Sequence, residues 1–261
     1  MIRILGLFSL LLLFGCKKQT TYTAASSVQL ATPLINSSSL FATENNKIEA
    51  PYLDAELGLE VHSIEGKKRT VFNSKENIAL DEIGTYRLRT VNPPFLPSEW
   101  VELKVLPEGK AIESIDWITD PKPSYFKGGS AVLIDGKSAD FSFHSKGWTG
   151  ANNPFGLKVQ FDTTTRVDSL TLGVLFNPSA WIYPISELQI KIQKDRSEVI
   201  LKDFDFKVEG NLNEQKHVFL SFEVGEEANE MQLDFIPKNL PEEHPGAGTP
   251  AWLFLDEIII Y

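Results

Sequence analysis

The chain of 261 residues has one cysteine, four histidines and two methionines. A single cysteine leaves no partner for a disulfide framework within the chain. His144 and His244 have no zinc-type spacing of Cys, His or Asp around them, so they read as loop histidines rather than metal ligands. Basic residues are also short, with 25 Lys and Arg against 35 Asp and Glu and a formal net charge of −10. Phosphate binding needs a basic face and none is visible, which excludes nucleic acid as a partner. After residue 15 no apolar run approaches the roughly 20 residues that span a bilayer as a helix. No window sustains 3.6-residue periodicity with caps, and no alternating βα pattern appears, so there is no (β/α)8 barrel.

What the sequence does contain begins with Arg3, an apolar block from Ile4 to Phe14, and then Gly15 before Cys16. This reads as a secretory signal over 1–15, too short for a spanning helix. The run Leu13-Phe14-Gly15-Cys16 resembles a bacterial lipobox, which implies that Cys16 is diacylated, becomes the first mature residue and anchors the chain to a membrane. Residues 16–33, rich in Ser, Thr, Ala and Gln, read as a flexible tether. Arg3 is the only charged residue in 1–15, so its removal takes the net charge from −10 to −11. Such a chain is weakly repelled by anionic headgroups, which fits attachment by acyl chains rather than a polybasic patch. The implied location is the bacterial outer membrane or cell envelope; Lys17 and Lys18 leave both faces of the membrane open.

The remainder reads as an all-β protein of two modules. Between 34 and 107, strand candidates at Leu40-Phe41, Leu57 to Ile64, Val71-Phe72, Ile78 to Leu80, Tyr86 to Val91 and Val101 to Leu106 are separated by turn signals. Strands at about 8–12-residue spacing make a small immunoglobulin- or fibronectin-like sandwich. Pro107 to Lys110 forms the boundary. Residues 111–261 read as a larger jelly-roll sandwich, with candidates at Ala131 to Ile134, Phe141 to Phe143, Leu157 to Phe161, Val167 to Phe176, Leu188 to Gln193, Val199 to Phe206, Lys216 to Phe222, Glu230 to Phe235 and Trp252 to Tyr261.

The closing stretch, His244 to Tyr261, joins a Gly/Pro loop to a strand rich in β-branched and aromatic residues, which is expected to be buried on both faces. Two charges in such a strand need partners, so Asp256 and Glu257 mark a candidate site. Strand alternation puts them on opposite faces, which keeps them from flanking one glycosidic bond as an acid–base pair. The His244-Pro245-Gly246-Ala247-Gly248 run is no phosphate loop, because a strand rather than a helix follows it.

Five blocks in order resemble one family. Tyr125-Phe126-Lys127-Gly128-Gly129, Leu133-Ile134-Asp135-Gly136, Trp148-Thr149-Gly150, Asn177 to Pro184, and His244 to Gly248 followed by Trp252 to Ile258 look like the C-terminal discoidin-like (F5/8 type C, galactose-binding-like) module of bacterial family-20 β-hexosaminidases. The module before it resembles their fibronectin-like module, with Ile64-Glu65-Gly66 in place of the usual turn. The catalytic barrel of that family has no counterpart here, so the resemblance implies a non-catalytic protein that binds a carbohydrate or glycoconjugate. It also implies a structural calcium ion, with Asp135 and Glu257 as ligands and Val132, Lys137 and Asp256 as further oxygen donors. Calcium takes about six to eight hard oxygens, several of which an Asp-Gly turn supplies through its carbonyls. The sequence departs from the family downstream, where Asp140 and Ser142 precede a Trp that arrives only at 148. Trp148, Trp181, Tyr183 and His244, all in loops, are the candidates for stacking on and bonding a sugar, whereas Trp252 reads as core. A rival reading stands beside this one: a lipoprotein that scaffolds a protein partner, such as a separate glycan-degrading enzyme, and binds no sugar.

Overall fold

The computed structural model describes residues 24–37, 39–50, 53–54, 56–63, 69–73, 78–121, 125, 127–193, 199–205 and 215–261. The signal, Cys16, the first part of the tether and the Ile64-Glu65-Gly66 turn lie outside them. Thirteen strands are described: β1 (Asn36–Ser37), β2 (Ile48–Glu49), β3 (Gly58–Ser63), β4 (Arg69–Asn73), β5 (Gly84–Val91), β6 (Val101–Val105), β7 (Ser114–Thr119), β8 (Thr149–Ala151), β9 (Phe155–Phe176), β10 (Ile185–Gln193), β11 (Val199–Asp205), β12 (Lys216–Pro237) and β13 (Leu253–Ile260). The protein is all-β, and its only helical turns among the described residues are short 3-10 segments.

The first module is a four-stranded antiparallel sheet in the order β4-β3-β5-β6. Alternation sends Leu59, Val61, Tyr86, Leu88 and Val105 to one face, where Ile48, Ile78 and Leu80 cover them. The expected strands at Leu40-Phe41 and Ile78 to Leu80 pair only through isolated bridges, Phe41 with Leu106 and Lys47 with Ala79.

The second module is organised by β9 and β12, each of 22 residues. Each joins two strands that the sequence separates. The polar stretches 162–166 and 223–229 look like turns, but in the structure they carry the strands around the curl of the sheet, with register shifts at Glu223/Glu226 and Ala228/Glu230. One half of the pair is flanked by β7 and by β10-β11, the other by β13-β8. The two halves enclose a core that includes Leu157, Val159, Leu170, Leu172, Val174, Leu188, Ile190, Leu233, Leu253 and Ile260. Hydrophobic burial at about 25 cal/mol per Å² makes this core the main stabiliser of the module. Two expected strands are absent: Ser130–Leu133 is a 3-10 turn, and 141–143 lies in an irregular loop.

Residues 39–42 join the modules. Leu40 N–H donates to Gly136 O at 2.7 Å, Leu106 N–H donates to Leu40 O at 2.8 Å, and Ala42 N–H donates to Leu106 O at 3.0 Å. The Phe41 ring packs so closely on Gly136, at φ +67°, that a Cβ there would lie 2.8 Å from Phe41 Cε2.

Candidate functional site

The last strand contains a β-bulge that corrects the expected placement of its carboxylates. Leu255 pairs with Val174 and Glu257 with the adjacent Gly173, so Asp256 is the extra residue. Leu253 and Leu255 before the bulge, and Ile258 and Ile260 after it, all enter the core. Asp256 and Glu257 therefore both leave from the other face, contrary to simple alternation. One turn covers both: Gly136 N–H donates to Glu257 Oε2 at 3.1 Å, and Ala139 N–H donates to Asp256 Oδ2 at 2.9 Å. Asp256 is 1% exposed and Glu257 2%.

Asp256 is the inner end of a chain of hydrogen bonds. Its Oδ1 lies 2.9 Å from His217 Nε2, and His217 Nδ1 lies 2.9 Å from Ser138 Oγ. Phe219 lies against the imidazole at 4.5 Å between centroids, and Trp148 meets it edge-on at 5.5 Å. Gly173 on β9 leaves the room this pair occupies, since a Cβ there would lie 2.1 Å from Asp256 Oδ1 and 3.0 Å from His217 Nε2. Ser138 and His217 line a cleft of about 300 Å³ between the modules, bordered by β6, residues 138–141 and residues 32–37. Neither residue is singled out by sequence reasoning. The signals present are a histidine in an otherwise strand-like run at 216–222 and a lone glycine within the apolar run 170–176.

The candidate metal turn is assembled as expected in one respect: Asp135 precedes the glycine whose amide holds Glu257. Asp135 Oδ1 also accepts from Lys137 N–H at 2.9 Å. Burial, then the charges of Asp256 and Asp135, push the Glu257 carboxyl up to about 9. Burial also raises Asp135. Val132 sits in the 3-10 turn just before. Asp256 is turned away, with both oxygens engaged by His217 and Ala139. Among the described residues no group of three or more His, Cys, Asp or Glu side chains is arranged to hold a metal.

The four sugar-stacking candidates separate by burial. Trp148 is buried beneath residue 140, with Nε1–H donating to Asp140 O at 2.6 Å, and has no open face. Tyr183 is buried edge-on against Phe176 at 5.6 Å, and that burial raises its phenol. His244 is buried as a brace: Gly246 N–H donates to its Nδ1 at 3.1 Å, which places the proton on Nε2 to donate to Pro178 O at 3.3 Å. Trp181 alone of the four is open, at 44% exposure. Its backbone is left-handed at φ 65°, fixed by Trp181 N–H donating to Pro178 O and Trp252 N–H donating to Trp181 O, at 2.9 and 2.8 Å. His244 meets the indole edge-on at 5.3 Å, and a Cβ on Gly246 would lie 3.1 Å from its Cη2 and Cζ3. The fold thus brings Trp181 and Tyr183 together around His244, while Trp148 packs in a buried cluster with Leu175, Ile182 and Phe254.

No protein-family model matches the chain, and no curated protein matches it. Among solved structures it is similar to the family 32 carbohydrate-binding module of C. perfringens NanJ in complex with galactose, at 11% identity and TM-score 0.35, over 56% of this chain and 91% of that one. It is similar to an F5/8 type C domain of a Bacteroides fragilis protein at 15% identity and TM-score 0.36, over 57% and 89%. It is also similar to the lectin domain of lectinolysin complexed with Lewis B antigen at 14% identity and TM-score 0.34, over 57% and 91%.

Proposed function

We propose that this protein is a lipoprotein, anchored through Cys16, whose second module binds a carbohydrate or glycoconjugate at Trp181. The observation that carries the reading is an exposed indole held in a left-handed backbone that a non-glycine residue adopts only under strain. Such strain persists where surrounding structure over-determines it, and here the Pro178 and Trp252 hydrogen bonds, His244 and Gly246 do so. A rigid, open indole suits the apolar face of a pyranose, and the exposed Ser179, two residues before it in the chain, offers a group for its hydroxyls. The role proposed is binding: Asp256 and Glu257, the carboxylates of the last strand, are buried and engaged by His217 and by backbone amides, so they do not flank a bound sugar.

A calcium ion held by Glu257, Asp135 and carbonyls of the 132–137 turn belongs to the same proposal. What supports it is a buried Glu257 with no ion pair among the described residues, its pKa raised first by burial and then by the charges of Asp256 and Asp135. Bound calcium would stiffen the turn that joins β13 to the first module.

A glycan array that includes galactose and Lewis B antigen tests the binding. Loss of one stacked aromatic weakens binding by roughly 1–2 kcal/mol, so Trp181→Ala is expected to reduce affinity about 10-fold with little change in melting temperature. A blank array from folded protein overturns the reading. The scaffold reading then gains, and it has its own observation: Val28, Phe95 and Leu96 are exposed together, joined by the hydrogen bonds of Leu96 to Val28 and of Leu30 to Leu96.

A further inference from the structure

We propose that Ser138, His217 and Asp256 form a nucleophilic centre that accepts an acyl group from an ester bound in the cleft between the modules. This goes beyond glycan binding and does not rest on it. A nucleophilic serine requires a base within hydrogen-bond reach and a third group that orients the base. Both contacts are present at 2.9 Å, Ser138 Oγ to His217 Nδ1 and His217 Nε2 to Asp256 Oδ1. The order with respect to solvent also fits. Ser138 and His217 line the cleft, while Asp256 lies behind them and is 1% exposed.

The cluster is built more tightly than a chance hydrogen-bond chain. Phe219 and Trp148 hold the imidazole, and Gly173 provides space that any side chain would close. The second oxygen of Asp256 takes the amide of Ala139, the residue after the nucleophile, so acid and serine loop are fixed to each other. Leu34, Leu103, Phe141 and Phe219 give the cleft apolar walls suited to a short acyl chain. Lys104 also borders it, with Nζ 5.8 Å from the Phe219 centroid, and supplies a cation for charge developing on the acyl oxygen.

The step balances without any redox change. Neutral His217 takes the Ser138 proton on Nδ1 as Oγ bonds to the ester carbonyl carbon, and Asp256 holds the imidazolium through Nε2–H. The bond to the alkoxy oxygen then breaks, the alcohol leaves with the proton from His217, and Ser138 carries the acyl group. Water, activated by the same base, releases a carboxylic acid and restores the serine.

The test treats the full-length protein with a fluorophosphonate probe and with 4-nitrophenyl butyrate. Labelling is expected at Ser138 alone, mapped by peptide mass spectrometry, with a burst of 4-nitrophenolate; Ser138→Ala should lose both. Lys104→Met, on the first module, should slow labelling at least about 10-fold while leaving the relay in place. Should the alanine variant fold poorly, Ser138→Cys keeps the volume. The alkylation of that variant by iodoacetamide, read at position 138, should exceed that of a free cysteine at neutral pH at least about 10-fold, because His217 draws off the thiol proton. An unlabelled folded wild type, equal labelling in Ser138→Ala, or a thiol in Ser138→Cys no more reactive than free cysteine would overturn the proposal.

Discussion

Replacing Gly173 by alanine adds one methyl group, yet the structure gives it a large effect. The new Cβ would stand 2.1 Å from Asp256 Oδ1, 3.2 Å from its Cγ and 3.0 Å from His217 Nε2. Ordinary carbon–oxygen contact is more than about 3 Å, so the carboxylate must move by roughly 1 Å. A movement of that size breaks the 2.9 Å bonds from His217 and from Ala139. Neither Leu172 nor Val174 can yield, since both are locked in the core. Overpacking alone costs about 1–3 kcal/mol, and a hydrogen bond to a charged group contributes about 1.5–3 kcal/mol, so a loss of at least about 2.5 kcal/mol is expected. For a module of this size that lowers the melting temperature by roughly 5–10 °C. Differential scanning calorimetry measures it, with Gly248→Ala as control: Gly248 has φ +78° and open space around its Cβ, so only backbone strain of about 1 kcal/mol applies. If Gly173→Ala melts no lower than Gly248→Ala, the packing argument for the Asp256–His217 pair is wrong.

Three other outcomes follow from the same geometry. Glu257, raised from 4.5 to about 9, holds its proton in the folded state between those values while the unfolded chain releases it, so stability should fall as pH rises through that window, by up to about 1.4 kcal/mol per pH unit. Glu257→Gln should flatten the profile; a slope identical in both proteins would refute the assignment. Added calcium at pH 8 should raise the melting temperature of the wild type and not of Glu257→Gln, whereas equal melting with chelator and with calcium would remove the ion from the proposal. Gly246→Ala, whose Cβ would press on the Trp181 ring from 3.1 Å, should weaken glycan binding while changing stability far less than Gly173→Ala; unchanged binding would detach Trp181 from the site.

The strands are legible where hydrophobic alternation is local, as in Tyr86 to Val91 and in Trp252 to Tyr261, observed as Gly84–Val91 and Leu253–Ile260. The bulge is harder to see, although the spacing of Leu253, Leu255, Ile258 and Ile260 carries a single three-residue step that marks it. Adjacent acidic residues at that step mimic plain alternation. Trp148 and Trp181 illustrate a different limit. Both sit among Gly, Pro and Asn, but one is covered by His217 and Asp140 and the other by nothing beyond its own brace, and local composition does not contain that difference. Ser138 and His217 are 79 positions apart, so their meeting depends on the whole curl of β9 and β12.

The short segment at 39–42 gives the molecule a mechanical path. A pull between the N-terminal end and the second module does not have to travel through the four-stranded sheet, because Leu40 is bonded directly to Gly136 and Phe41 is seated on the same glycine. The same Gly136 amide holds Glu257 on β13, which pairs with the long β9. Tension entering at Leu40 is therefore passed within two residues to β13 and β9 of the larger module, and is shared with the first module through the two hydrogen bonds to Leu106.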